Sequence, residues 1–300
     1  MKNKKARRIF KGMSPLFWVT FALLALYCLM IIFQIYWALI STLKDDFDFG
    51  HNIFGLPNAR FGWKFSNYTK AFQAFGVPVM ASSGYKTVGF FEMFCNSVLY
   101  CVGCALAAAF VPCIVGYVTA KFKYAFSRIL TTVIIVCMML PVIGSMPSEI
   151  MLAKSLRLYD SIWGMWIMKG NFFSMYTLIF QAYFRNVPDA YIEAAKVDGA
   201  SNLLIFLKIM FPLVSKMFLT VALLNFIGFW NDYQTPLVYM PSHPTLAFGL
   251  FSFNQSTDTQ LVTVPLKLTG SLIVLLPILV IFLCFHKRLI GNLAIGGLKG

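Results

Sequence analysis

The sequence predicts an all-α membrane protein with six transmembrane helices. Both termini are expected in the cytoplasm, with a short cytoplasmic helix between spans 4 and 5. Three observations predict this. Hydrophobic residues make up 59% of the 300 residues and charged residues only 12%, about half the charged share of a soluble domain. Long charge-poor apolar runs recur along the chain, which has a mean hydropathy of +0.74. One polar segment between two such runs carries helix signals of its own.

The elements follow in order. Residues 1–15 form a basic tail. The run 17–40 has one notable polar side chain, Gln34, and gives span 1 (16–43). Its apolar core exceeds the roughly 7–15 residues of a secretory signal, and no small-residue cleavage site follows, so it is expected to be retained. The outer segment 44–92 is rich in aromatics, Gly, Pro and Lys and reads as a folded cap or an interfacial segment. Span 2 (94–119) is uncharged and leads into a basic turn with Lys121, Lys123 and Arg128. Span 3 (129–147) is also uncharged. After an outer connection (148–161), span 4 (162–184) carries Lys169 and Asn171. The inner polar segment 185–204 comes next. Span 5 (205–229) carries Lys208, Pro212, Lys216 and Asn225. An outer loop (230–266), span 6 (267–286) and an inner tail (287–300) complete the chain. The membrane domain is therefore expected over 16–286.

Pro141, Gly144 and Pro147 interrupt the outer end of span 3, and Pro212 interrupts the inner part of span 5. Proline removes an N–H donor and clashes one turn back. Such breaks at membrane depth fit a pathway-forming protein, where neighbouring protein or a cavity satisfies the freed carbonyl. They also fit passive kinks.

The formal net charge of +14 raises the question of nucleic acid. Sorting the charges by side answers it. With the N-terminus inside, fifteen Lys and Arg face the cytoplasm and nine face outward. That bias sets the orientation, and it places the basic tail beside anionic lipid rather than nucleic acid. The seven cysteines lie in or beside spans. Cys101-x-x-Cys104 has no second pair or nearby histidine, so no metal site is expected, and the cysteines read as small apolar packing residues.

Within 185–204, Val187-Pro188-Asp189 reads as a helix start. Asp189 and Glu193 put negative charge near the positive end of the dipole. Ala190, Ala194 and Val197 recur at i, i+4 and i+7 as a narrow small-residue stripe, with Ala195 beside it, and Gly199 is a stop signal. A small-residue face lets another backbone or a cleft wall approach closely.

Glu193-Ala194-Ala195-x2-Asp198-Gly199-Ala200, with Phe184, Pro188, Phe206, Ile209 and Pro212-Leu213 around it, resembles the "EAA" coupling loop of importer permeases of the ATP-binding-cassette type. The likeness is to the carbohydrate-uptake branch related to the maltose permease. Asn96-Ser97, Gly116-Tyr117, Leu140-Pro141, the segment Phe229-Trp230-Asn231-Asp232-Tyr233 and the tail Gly296-Gly297-Leu298-Lys299-Gly300 are similar to that family too. The resemblance spans roughly 15–300. It implies that Glu193, Ala194, Ala195, Asp198 and Gly199 dock into a groove on a cytoplasmic ATPase subunit. It also implies a second homologous permease subunit, two ATPase copies and an extracellular solute-binding protein. Tyr191 and Ile192 depart from the family, which often carries charge there.

The chain has no G-x-x-x-x-G-K-[ST] phosphate loop; Gly291-x4-Gly296-Gly297 has glycine where lysine is required. It is therefore not expected to be an enzyme or to bind a cofactor, with ATP and Mg held by the partner ATPases. His51, His243 and His286 are far apart and match no triad or metal spacing. For the solute path, the candidates are Asn225, Trp230, Asn231 and Tyr233, because sugars are held by aromatic faces and hydrogen-bonding side chains. Trp230 and Tyr233 equally fit an interfacial aromatic belt, and Asn225 an interhelical hydrogen bond. The alternatives are a permease of the same type for a non-sugar solute, or an autonomous channel or secondary transporter. A proton- or sodium-coupled transporter usually carries acids mid-span; every Asp and Glu here maps to a loop or interface.

Overall fold

The computed structural model describes residues 15–81, 84–122, 124–140, 144–256 and 263–295. Residues 1–14 of the basic tail, Lys123, Pro141 and the 296–300 segment lie outside the described residues. Among the described residues, four helices are long and apolar enough to cross a membrane: Pro15–Thr42, Phe90–Lys121, Asn202–Asn231 and Val264–Cys284. The chain divides into two compact units. Residues 1–74 with 256–273 form one, and 75–255 with 274–300 form the other.

In the first unit, α1 (Pro15–Thr42) is apolar along its length and buries only Ser41 and Thr42. A helix with no buried face has lipid or other protein as its natural surround. The outer segment folds at its end. It includes α2 (Asp46–His51) and α3 (Ser66–Ala74). Asn67 Nδ2 donates to the carbonyls of Thr42 and Lys44, at 2.8 and 2.9 Å. Lys44 is fully buried and its ammonium donates to the carbonyls of Asn52 and Ile53. Desolvation pushes its pKa down, and Asp48 opposes that. Asp48 also accepts from the Asn58 amide at 3.0 Å.

The second unit opens with a β-hairpin, β1 (Gly76–Ala81) against β2 (Gly84–Gly89), antiparallel with Gly76 opposite Gly89. The all-α expectation is corrected here. Val77, Val79 and Val88 bury their side chains, as β-branched residues on a pleated surface do. The hairpin leads into α4 (Phe90–Lys121), the central helix.

α4 packs closely because of what it lacks. A Cβ on Gly103 would fall 1.8 Å from the Trp166 ring of α7 (Ile162–Lys169). A Cβ on Gly116 would fall 2.9 Å from the Gln181 backbone nitrogen of α8 (Met175–Asn186). Trp166 Nε1 donates to the Leu99 carbonyl at 3.1 Å, fixing α7 to α4. Asn96 and Ser97 are used structurally. Asn96 Nδ2 donates to the Pro244 carbonyl at 3.1 Å, and Ser97 Oγ accepts from the Leu246 amide at 2.7 Å. Cys101, Cys104 and Cys113 are free and buried on α4.

One predicted span differs from the fold, and a second divides at the prolines expected to interrupt it. The run 162–184 is not one helix: α7 stops at Lys169 and α8 starts at Met175. Turn chemistry wins there over hydrophobicity. Asn171 Oδ1 accepts from the Phe173 amide at 2.7 Å, and Thr177 Oγ1 donates to the Phe172 carbonyl at 2.6 Å. The 129–147 run is likewise divided. α5 (Ala125–Met139) gives way at Leu140, whose φ of −79° and ψ of 124° suit a residue before proline. α6 (Met146–Ser155) then begins with Pro147 in its first turn.

Pro212 does not end span 5. After α9 (Ala190–Val197) and the short α10 (Asn202–Ile205), a π-turn over Phe206–Met210 runs into α11 (Phe211–Asn231). The Phe211 amide reaches back to the Phe206 carbonyl. The wider turn accommodates the proline without breaking the rod. α12 (Gln234–Tyr239), α13 (Leu246–Asn254) and α14 (Val264–Ile295) follow.

Candidate coupling site and outer polar cluster

α9 is held at both ends. Val187 leaves α8 in extended backbone, φ −77° and ψ 125°, as Pro188 demands. Asp189 takes the N-cap position, but its carboxylate makes no cap bond to the helix. It accepts instead from Lys121 Nζ, at 2.6 Å, and the same ammonium donates to the Val187 carbonyl. The Lys121 side chain is 4% exposed and that of Asp189 is 50% exposed. The last residue of α4 thus clamps the start of α9.

The far end closes as a Schellman motif. The Ala200 amide bonds the Ala195 carbonyl at 2.9 Å, and the Gly199 amide bonds the Lys196 carbonyl at 3.0 Å. Gly199 has φ +78°, the left-handed conformation that glycine adopts at no steric cost.

One face of α9 is anchored and the other is open. Ala195 is buried, and Ile192 and Ala200 pack beside it against a core that includes Tyr117, Phe184, Phe206 and Met210. Tyr117 meets Phe206 at 5.0 Å and Phe184 at 5.4 Å between ring centroids. This core joins α4, α8 and α11, so a displacement of α9 is felt by all three. Ala190, Glu193, Ala194 and Asp198 are exposed, and Val197 is 87% exposed. The predicted Ala190, Ala194 and Val197 stripe therefore lies open, with Glu193 beside it. Of the five residues predicted for coupling, Ala195 faces inward and the other four face solvent.

The four predicted solute-path residues each make contacts of their own. Asn225 Nδ2 donates to Val221 and Asn231 Nδ2 to Ile227, each within its own helix at 2.9 and 2.8 Å. Tyr233 stacks on Phe251, with centroids 4.5 Å apart and planes 12° apart. Trp230 is buried between Phe226 and Phe94, and its Nε1 has no hydrogen-bond partner among the described residues.

A polar cluster that the sequence did not reveal lies at the same end of α11. The buried Tyr100 hydroxyl donates to Asp232 Oδ2 at 3.3 Å. Asp232 Oδ1 accepts from the Thr235 amide at 2.9 Å. Lys169 Nζ donates to Thr235 Oγ1 at 3.4 Å and sits 5.7 Å from the centre of the Phe229 ring. Asp232 stands inside a segment already singled out. Tyr100 and Lys169 come from α4 and α7, and nothing local marks them as its partners.

A second acid is ordered by two donors, one local and one distant in sequence. Glu149 accepts from Ser145 Oγ at 2.5 Å and from Tyr239 Oη at 3.0 Å. Those two donors hold its pKa below the usual carboxylate value, and burial pushes the Tyr239 phenol up to about 12.

The comparisons with known proteins agree with this architecture. Residues 113–290 match the model of the family described as "Binding-protein-dependent transport system inner membrane component". The chain is similar to the arabinooligosaccharides transport system permease protein AraQ of Bacillus subtilis, 27% identical over 296 residues, covering 96% of this chain and 99% of that protein. It is 28% identical over 214 residues to the maltodextrin transport system permease protein MdxG of the same organism, covering 70% and 76%. A chain in the crystal structure of a bacterial transporter involved in import of the acidic polysaccharide alginate shares the fold. The TM-score is 0.70 at 20% identity, covering 94% of this chain and 97% of that one.

Proposed function

Because this chain belongs to the family of binding-protein-dependent transport system inner membrane components, we propose that it is the permease subunit of an ATP-binding-cassette importer for an oligosaccharide. It is a multi-pass membrane protein. The observation that carries the coupling part of the reading is α9. It is a short helix whose inner face joins the cores of three helices and whose outer face carries Glu193 and Ala194 into solvent. That is the geometry of a part pushed by something else.

In this reading Glu193, Ala194, Asp198 and Gly199 meet a partner ATPase, and Ala195 passes the motion inward. ATP and Mg belong to two such ATPase subunits, and this chain needs no cofactor. A second homologous permease completes the path, and an extracellular solute-binding protein delivers the solute. The chain crosses the membrane six times, with α5 carrying the third span (129–147), α6 belonging to the outer connection (148–161), and α7 and α8 forming the fourth. The tails 1–15 and 287–300 and the loop 185–204 are cytoplasmic, supported by the Lys and Arg bias. Asn225, Trp230, Asn231 and Tyr233 line the solute path, a reading supported by their places in and just after α11. The sugar assignment is supported by the relatives' names, which include arabino-, malto- and galactooligosaccharide transport.

The test is reconstitution with the partner subunits and binding protein in vesicles, measuring ATP-driven uptake of labelled arabino- and maltooligosaccharides. Uptake of one of them, abolished by Glu193→Ala with Gly199→Pro, is expected. Uptake unchanged by that variant overturns the coupling assignment. Uptake by this chain alone overturns the subunit assignment.

A further inference from the structure

We propose that the cleft bounded by the ends of α4 and α8 and the start of α5 binds the phosphate headgroup of an anionic phospholipid. The cleft holds about 410 Å³ and is lined by Lys121, Arg128, Arg185, Asp189, Tyr124 and Thr132, among others. Its charges do not cancel. Asp189 is taken up by Lys121. Arg128 and Arg185 remain, both exposed, with no ion pair to any carboxylate among the described residues. A guanidinium presents a planar fork of donors that fits phosphate oxygens in a bidentate way.

The surroundings select a lipid over a free phosphate. α5 continues from Arg128 with Ile129, Val133 and Val136, at i, i+4 and i+7 of one another, and these are 60%, 40% and 49% exposed. Arg128 and Thr132 form the adjoining row of the same helix. A row with one cation and one hydroxyl therefore runs beside a row of exposed aliphatic side chains. A phosphate ion uses only the first row. A phospholipid uses both, with its headgroup in the cleft and an acyl chain along Ile129, Val133 and Val136. The position is right for it. The uncharged stretch of α4 ends at Ala120 and that of α5 begins at Ile129, so the cleft lies at headgroup level whichever leaflet it faces. Basic pockets between transmembrane helices are known homes for anionic headgroups. The site borders the Lys121–Asp189 clamp, so its occupant also sits next to the start of α9.

The test is native mass spectrometry of the purified transporter after exposure to mixed phosphatidylglycerol and phosphatidylcholine vesicles. The wild type is expected to retain phosphatidylglycerol in preference, and Arg128→Gln with Arg185→Gln to lose that preference by on the order of 10-fold. Arg128→Lys with Arg185→Lys should keep most of it. Should the glutamine variant fail to fold, photoreactive phosphatidylglycerol applied to the wild type is expected to label peptides covering 124–136. Equal retention by wild type and glutamine variant, or labelling elsewhere only, overturns the proposal. Displacement by excess inorganic phosphate overturns it in favour of the free ion. Retention only after the ATPase subunits, or the second permease, are stripped away overturns it in favour of a protein cover.

Discussion

Lys121 Nζ lies 2.6 Å from Asp189 Oδ1, joining residues 68 positions apart and tying the last residue of α4 to the first cap of α9. The lysine is almost wholly enclosed and the aspartate is half exposed. Losing the ammonium takes the donor from the Val187 carbonyl and one partner from the carboxylate; losing the carboxylate leaves the ammonium its bond to the Val187 carbonyl. Lys121→Met should therefore cost about 2 kcal/mol and Asp189→Asn about half as much. The double variant should cost less than their sum. Thermal unfolding in detergent checks this, and additive losses would show that the two side chains act independently. In the reconstituted transporter, Lys121→Met should raise the ATP hydrolysed per solute moved, with Lys121→Arg restoring it.

Gly199 closes α9 at φ +78° with nothing within 4 Å of where a Cβ would stand. Space is therefore no obstacle, and the backbone alone sets the cost. Gly199→Ala should destabilise by about 1 kcal/mol, and Gly199→Asn by less, since asparagine tolerates the left-handed region. Melting temperatures of the two variants measure this ordering. Equal losses would mean that the cap is held by something other than its dihedral angle.

How far the sequence could be read follows from these same residues. Gly199 as a cap and the small-residue stripe of α9 are local facts, set by propensity and spacing, and both are legible. The four long spans are legible because hydrophobicity over twenty residues overrides almost everything else. The break between α7 and α8 is less so. Asn171 is a weak turn signal inside an apolar run, and only the fold decides that it prevails. Asp189 is legible at the helix start, but its bond to Lys121, 68 positions away, is not. Tyr100, Lys169 and Asp232 meet only in three dimensions, as do Arg128 and Arg185. No periodicity encodes such long-range pairs. The hairpin over 76–89 was hidden because a short valine-bearing strand in an outer segment looks like any interfacial stretch.

Glu149 and Tyr239 set opposite edges of a pH window. The carboxyl of Glu149 is held below its ordinary value by Ser145 and then Tyr239. Its contribution is fully present above the ordinary carboxylate range and is lost as pH falls through the depressed value. The Tyr239 phenol is raised to about 12, so its contribution is present below the usual tyrosine range and is lost as pH rises through about 12. Glu149 is exposed, and the acid arm is therefore small. Unfolding followed against pH should show Glu149→Gln flattening the acid arm, and Tyr239→Phe flattening the alkaline arm while trimming the acid one. A Glu149→Gln profile that superimposes on the wild type would place the acid sensitivity elsewhere.

Gly116 and Gly228 make a matched pair on two transmembrane helices. At Gly116 a Cβ would meet the Phe180 Cβ at 2.7 Å, the Gln181 amide nitrogen at 2.9 Å and the Thr177 carbonyl at 3.0 Å. Two of those three atoms are backbone, which no rotamer change can move, so α8 itself must shift. At Gly228 nothing lies within 4 Å, and the residue sits inside α11 with ordinary helical geometry. Gly116→Ala should thus cost about 1–3 kcal/mol through forced separation of α4 and α8. Gly228→Ala should be neutral or stabilising by up to about 1 kcal/mol, because alanine loses less backbone freedom on folding. The shift at Gly116 also moves Phe180 and Phe184, which support α9, so its effect should extend to ATP-driven uptake while that of Gly228→Ala should not. Parallel melting and uptake measurements on the two variants decide it. Equal effects on both would mean that the α4–α8 contact at Gly116 does not govern the placement of α9.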